Sequence, residues 1–344
     1  MTNKELAQKL NISPAALSLV LNNKPGVSES TRKRVLAQLE EMGYADVARK
    51  NTPKAGNLCF VVYKKDGGIL DQHPFFLLLM EGLEAQTRRY GLNLLFFTAN
   101  CRQPLEPQIE RLNQLDAQGC VVFATEMLPE DFPFFQSLRL PSVALDNEFT
   151  RFDIDAVSIN NEMGMFQAVE HLVSLGHRDI GCLRSRRRIS SFDERQRAFG
   201  NALSSFSLPL RETQIVTLGY TEQESYRDFK EYLVGKPQLP TAFVSEDDTM
   251  SIGVMQALQE AGFRVPEDVS LVGFNDRPNC ETVMPGLTSV DVPKQSFGIA
   301  AIDALVGLIR RRERQEPPFR GLKTRISTQL VLRGSTAAPR VREG

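Results

Sequence analysis

Over the first 44 residues the apolar positions fall at helical spacing in three short blocks: Leu6, Leu10 and Ile12, then Leu17, Val20 and Leu21, then Val35, Leu36, Leu39 and Met42. Three helices on one small core are predicted. Ser13 is placed to accept from free amides of the first turn, and Pro14 supplies a helical φ where a missing N–H costs nothing, so the middle helix starts at Pro14. The first helix ends at Asn11, a residue that tolerates the left-handed turn. Residues 22–27 form a loop, Ser28 caps the third helix and Gly43 ends it. From Leu58 the pattern changes. Apolar runs of strand length (LCFVVY, LNLLFFT, GCVVFAT, SVALD) alternate with helical stretches over 75–90, 107–115 and 129–138. A second round opens at VSI (157–159) and continues through DIGCL, QIVTL, TAFVS and SLVGF, with helices over 162–175, 194–206, 222–234 and 248–261. This α/β rhythm predicts two doubly wound parallel sheets, each covered on both faces. Ligands then belong at the carboxyl ends of the strands, in the cleft between the sheets. Asp146, Asp247 and Asn275 stand at such strand ends.

At 344 residues the chain exceeds one core and suits a small head on a larger body. Residues 1–55 carry nine Lys/Arg against five acids, a net +4 that leaves −5 on the rest. A basic three-helix head on an acidic body favours DNA as the partner, because a tight helix-turn-helix leaves one side of its second helix for a major groove. No apolar run reaches about 18 residues and the N-terminus is polar, so neither a membrane span nor an export signal is expected, and the cytoplasm is the expected location. The five cysteines are odd in number and lack a C-x-x-C pair, which points to reduced, buried thiols. His73, His171 and His177 do not make a metal site, since His171 and His177 fall on different faces across a helix end, and neither a phosphate loop nor an H-E-x-x-H helix is present, so no metal, cofactor or catalysis is expected.

The strings ELAQKLNIS, S-x-x-x-x-S-x-V-L-N, V-S-x-x-T-R-x-R-V-L and E-E-M-G-Y resemble the N-terminal head of the lactose-repressor (LacI/GalR) family of bacterial transcription regulators. The likeness runs on through AVEHLVSLGHRDI, PTAFVSEDDTMSIGVMQALQEAG, VPEDVSLVGFND and PGLTSVDVP. It implies a helix-turn-helix head over 1–45, a linker over 46–57, a periplasmic-binding-protein-like body over 58–334 and a tail over 335–344. The body would divide into an N-subdomain over about 58–157 and 288–318 and a C-subdomain over about 158–287 and 319–334. The implied function is sequence-specific transcriptional regulation, repression in sense, with an effector between the subdomains controlling the grip on DNA.

On the DNA side the family's groove-facing positions are Pro14, Ala15 and Leu19, all apolar here, so thymine methyl contacts and DNA shape would carry specificity. Thr2, Asn3, Ser13, Ser18, Asn22 and Thr31 are expected on phosphates, with Lys4 and Arg32 adding charge. The linker departs from the family: Asn51 stands where a leucine would wedge into the minor groove, and Ala45-Asp46 replaces a proline pair. Less DNA bending follows, with Arg49 and Lys50 as phosphate contacts or the segment as a plain tether. One head buries too little for tight binding, so a homodimer on a pseudo-palindromic operator is expected. The C-terminal segment has no leucine heptads for a tetramer coil.

On the effector side, resemblance assigns hydrogen bonding to Asp146, Arg195, Asp247 and Asn275 and packing to Phe75 or Phe76. Two positions depart: Asn275 replaces an aspartate, and the aromatic expected near 221 falls on Tyr220, one place early. Arg184 and Arg186 to Arg188, in a loop on the cleft side, raise an anionic effector as one hypothesis against a solvated loop. A sugar or sugar derivative is the leading effector class and a nucleobase the alternative. A solute-binding protein would share the body but not the head, and a sugar-modifying enzyme is the remaining alternative.

Overall fold

A computed structural model of the chain describes residues 3–21, 26–42, 56–70, 75–315 and 320–340, with the side chains of Asn3, Lys4, Glu29, Glu40 and Phe75 left undescribed. Two compact units result, 1–56 and 57–344.

In the first unit α1 (Asn3–Lys9), α2 (Pro14–Leu21) and α3 (Glu29–Glu41) close on Leu6, Ala7, Leu10, Leu17, Val20, Leu21, Val35 and Leu39. Asn11 turns the chain at φ 52°. The Ser13 Oγ accepts from the Ala16 N–H at 3.0 Å, and the Ser28 Oγ accepts from the Thr31 N–H at 3.2 Å, capping α2 and α3.

The second unit begins with β1 (Asn57–Lys64), α4 (Phe75–Arg89), β2 (Asn93–Asn100), α5 (Leu105–Asn113), β3 (Cys120–Phe123), α6 (Pro133–Gln136), β4 (Ser142–Leu145) and β5 (Ala156–Ile159). It continues with α7 (Asn161–Ser174), β6 (Ile180–Ser185), α8 (Ser190–Ser205), β7 (Ile215–Leu218), α9 (Glu222–Val234), β8 (Ala242–Ser245), α10 (Asp248–Glu260), β9 (Ser270–Asn275) and α11 (Asn279–Thr282). Then come β10 (Thr288–Asp291), α12 (Lys294–Glu313), β11 (Lys323–Ile326) and β12 (Gln329–Val331). The strands make two six-stranded sheets, ordered β11-β5-β4-β3-β1-β2 and β12-β10-β9-β8-β6-β7. All pairings are parallel except β10 with β12. The central strands β1, β3, β6, β8 and β9 are almost wholly buried, as expected for sheets covered on both faces. In both sheets the order reverses at the first strand of the round, the place where open α/β sheets bind ligands.

Strand partners shift the expected subdomain boundaries. All of β5 pairs within the first sheet, β10 lies beside β9 in the second, and β11 returns to the first beside β5. The chain therefore crosses after Ile159, after Asp291 and between Ile326 and Gln329. Apolar patterning marks a strand but not the sheet that receives it; an open edge does that. The segment assigned to a tail also differs. The Ser335 carbonyl accepts from the Leu271 N–H at 2.8 Å, its Oγ accepts from the Thr288 N–H at 2.8 Å, and His177 Nε2 bonds the Ala337 carbonyl at 2.9 Å. Residues 335–337 are part of the second subdomain, and His177 helps to hold them there. Among the described residues, no helix is long and apolar enough to cross a membrane. The cysteines are free thiols, four of them buried and Cys101 half-buried.

Candidate functional site

The loops and strand ends at the carboxyl edges of the two sheets supply the two walls of one cleft. The first subdomain contributes Ile69 and Leu70 from the β1–α4 loop, Phe76 from the first turn of α4, Phe123 and Thr125 at the end of β3, Asp146 after β4 and Ile159 closing β5. The second contributes Ile189, Ser191, Phe192 and Arg195 around the start of α8, Tyr220 after β7, Asp247 after β8 and Asn275 at the end of β9. The cavity between them holds about 30 Å³, room for about two waters.

The second wall is a closed polar network. The Arg195 guanidinium is 2% exposed and stacks on Phe274 at 3.7 Å. Its Nε donates to Asn161 Oδ1 at 2.8 Å, its Nη1 to the Glu246 carbonyl at 2.6 Å and its Nη2 to Asn275 Oδ1 at 3.3 Å. Burial lowers its pKa, and Asp247, Asp146 and Glu246 oppose that shift. Helix α8 starts at Ser190, four residues before the expected start, so Arg195 lies inside the helix rather than opening it.

Asp247 Oδ1 caps α10 by accepting from the Thr249 N–H at 2.8 Å. Its Oδ2 accepts from Asn275 Nδ2 at 2.6 Å, Arg277 Nη2 at 3.1 Å and the Tyr220 hydroxyl at 3.4 Å. Asn275 therefore joins Arg195 to Asp247 with its carbonyl at one end and its amide at the other. An aspartate could not donate to Asp247, which gives the asparagine at this position a physical reason. Tyr220 is 1% exposed, 5.8 Å ring to ring from Phe192, and accepts from Arg277 Nη2 at 2.7 Å. It fills the place expected of an aromatic one residue later, where Thr221 instead caps α9 with Glu224.

The first wall is apolar apart from Thr125 and Asp146. Asp146 sits at φ 69°, a left-handed conformation costly for a non-glycine residue. Its Oδ2 accepts from the Thr125 hydroxyl at 2.7 Å. Burial pushes its pKa up to about 6, against the pull of Thr125 and Arg195 and with the help of Glu194. Phe76 packs on Phe123, 6.2 Å between ring centroids.

The arginine-rich loop does not line the cavity. Arg186 pairs with Asp228 at 2.8 Å, Arg187 with Asp66 at 2.5 Å, and Arg188 with Glu246 at 2.7 Å and Asp193 at 2.8 Å. Internal carboxylates hold these guanidinium groups, which removes the basis for an anion site there. Glu246 is wholly buried and its pKa is raised to about 6 by that burial, against Arg188. Asp248, also wholly buried, is raised to about 7 by burial, with the neighbouring Asp247 adding to the shift.

Arg277, Asn161 and Glu126 hold the site in place without having been singled out in the sequence. Arg277 follows the GFND string directly, a proximity that was readable; Asn161 and Glu126 carry no local signal. Among the described residues no group of His, Cys, Asp and Glu has the arrangement to hold a metal.

In the head, Pro14, Ala15 and Ser18 on α2 are exposed and Leu19 is half-buried. Ser13 is exposed but engaged as a cap. Thr31 shares a 2.7 Å hydrogen bond with Ser28. Arg32 Nη1 donates to the Leu19 and Val20 carbonyls, 3.1 Å each, so it ties α3 to the last turn of α2 rather than standing free as added charge. Thr2, Asn22 and Arg49, the rest of the linker over 46–55 and the side chains of Asn3, Lys4 and Phe75 lie outside the described residues.

Residues 2–46 match the family of bacterial regulatory proteins of lacI type, and residues 169–336 match the periplasmic binding protein-like domain. Over its length the chain is similar to the HTH-type transcriptional repressor PurR of Escherichia coli O139:H28, 29% identical over 98% of this chain and 97% of the relative. The repressor of the same name from Vibrio parahaemolyticus is 26% identical over 97% and 98%. Among solved structures, the transcriptional regulator CelR in complex with cellobiose superposes with a TM-score of 0.68 at 24% identity, over 97% of this chain and 99% of that one. The lac repressor dimer bound to operator and the anti-inducer ONPF gives 0.74 at 21%, over 98% and 99%.

Proposed function

Because the chain belongs to the lacI family of bacterial regulatory proteins, we propose that it is a transcriptional repressor whose grip on a pseudo-palindromic operator is set by a small neutral sugar held between the two body subdomains. Repression by DNA binding is the function of the full-length relatives; the effector class is the finer step. One observation carries it. Arg188, Arg195 and Arg277 are each bonded to internal acceptors, whereas the first wall offers a carboxylate, Asp146, among aliphatic and aromatic side chains. Such a wall suits a ligand with hydroxyl donors and an apolar face, and it disfavours phosphate. The solved complex of CelR with cellobiose supports a carbohydrate in a body of this fold. A nucleobase is the second reading, favoured by the ring faces of Phe76 and Phe123 on one side and Phe192 and Tyr220 on the other, which suit a planar ring.

The cavity is far below the roughly 300 Å³ at which small-molecule sites begin. Binding therefore requires the walls to part, and the ligand then acts by its different affinity for the two arrangements. In a homodimer that change sets the spacing of the two heads, as expected for half-sites about one helical turn apart. The partners are double-stranded DNA, the effector and a second copy of the chain, and the place of action is the cytoplasm, where that DNA is. Calorimetric titration with neutral hexoses and disaccharides, their phosphates and the free nucleobases tests the effector class. A neutral sugar should bind and its phosphate should not; tighter binding of the phosphate overturns the reading.

A further inference from the structure

We propose that Glu126 is a positioning residue for the effector: it fixes the 65–70 loop as a preformed cap over the cavity and aims Asp66 at Arg187 across the cleft. The inference rests on the reading of this cleft as the effector site. Glu126 lies just past β3, 5% exposed. Its Oε2 accepts from the N–H groups of Lys65 (2.9 Å), Asp66 (3.2 Å) and Gly67 (3.0 Å), and its Oε1 from those of Ile69 (2.9 Å) and Leu70 (3.2 Å). Five backbone donors converge on one carboxylate. Gly67, at φ +74°, lets the chain curl so that they do.

The curled loop has three consequences. Leu70 becomes cavity wall. Ile69, 3% exposed, seats on Ile189, Phe192 and Tyr220 of the other subdomain, a small apolar cluster of its own. Asp66 accepts from the Gly68 N–H at 2.7 Å through Oδ1 and meets Arg187 Nη1 at 2.5 Å through Oδ2. Gly68 is where the clasp lies flat: a Cβ there would stand 2.3 Å from the Arg187 Cζ and Nη1. As an ion pair the half-exposed Asp66–Arg187 contact stabilises little. Its weight comes from joining the two subdomains, because a contact made only in the closed arrangement shifts the balance between closed and open. Glu126 thus acts on the ligand through the loop, without touching it.

Two variants of the full chain separate this role from general folding. Glu126→Gln keeps the shape but turns one acceptor into a donor. Gly68→Ala displaces the end of the Arg187 side chain and leaves the Glu126 bonds alone. With amide exchange followed by mass spectrometry, Glu126→Gln should speed exchange across 65–70 by about tenfold, and Gly68→Ala should leave it unchanged. Calorimetry with the neutral sugars and nucleobases named above should show a loss of about tenfold for Glu126→Gln and about threefold for Gly68→Ala. Unchanged exchange at 65–70 in Glu126→Gln overturns the proposal, and so does faster exchange with undiminished ligand affinity. If none of these compounds binds the wild type, the effector reading falls. The cap is then judged with an Asp66→Cys/Arg187→Cys pair: disulfide closure slowed about tenfold by Glu126→Gln supports it, and equal rates overturn it.

Discussion

The two walls of the cleft are built on sheets of the same strand order, yet they carry opposite chemistry. On the second wall, Arg195, Asp247, Asn275, Tyr220 and Arg277 bond one another in one buried network. On the first, Ile69, Leu70, Phe76, Phe123 and Ile159 surround one carboxylate, Asp146, supported by Thr125. Topology gives each sheet an equivalent place for a ligand, but it does not divide the work. The paired wall is preorganised and loses little on closing. The other wall holds a charge in an apolar setting, a cost that a hydroxyl donor from a ligand would offset.

Breaking the paired wall should have the largest effect. Arg195→Ala leaves Asn161, the Glu246 carbonyl and Asn275 without their donor, and should cost about 3 kcal/mol in urea unfolding as well as detectable effector binding. Arg188→Gln should separate stability from binding, since Arg188 pairs with the buried Glu246 but does not line the cavity. A loss of about 3 kcal/mol at pH 8 is expected, with effector affinity nearly intact. It should shrink as the pH falls towards about 6, because without Arg188 to hold it down the buried Glu246 takes up its proton at a higher pH than in the wild type.

The unpaired wall should respond with the opposite sign. The folded protein keeps a proton on Asp146 up to about pH 6, whereas the unfolded chain loses it near 3.8. Asp146 therefore makes stability fall as the pH rises between those values. Asp146→Asn should match the wild type in thermal unfolding at pH 4 and exceed it at pH 8. Effector affinity should move the other way, with the wild type binding more tightly as the pH rises through 6 and the variant losing about tenfold at pH 8. The smallest effect belongs to the head. Leu19→Ala should change preference among operator sequences more than affinity for random DNA, which a competition binding assay measures; equal loss on both would contradict it.

Helix starts in the head were legible because each is written locally, by Ser13 with Pro14 and by Ser28, and the capping bonds follow. The α/β rhythm and the strand-end residues Asp146, Asp247 and Asn275 were legible for a similar reason: a strand announces itself by its own residues and opens into the cleft at its carboxyl end. Other features were hidden because they depend on partners distant in sequence. Which sheet receives β10 and β11 is decided by open edges. The pairing of Arg186, Arg187 and Arg188 is decided by Asp228, Asp66 and Glu246, all far away along the chain. A run of arginines reads as an anion site until those partners are known.

If a neutral small molecule between unlike walls controls the grip on DNA, the affinity for DNA itself reports it. Fluorescence anisotropy on the chain's own upstream DNA, with random DNA as control, at several salt concentrations and with neutral sugars, nucleobases and sugar phosphates added, tests it most directly. Selective binding that weakens steeply with salt is expected, shifted at least about fivefold by a neutral compound and left unshifted by that compound in Arg195→Ala. A grip that ignores every neutral compound and responds to a phosphorylated one would contradict it.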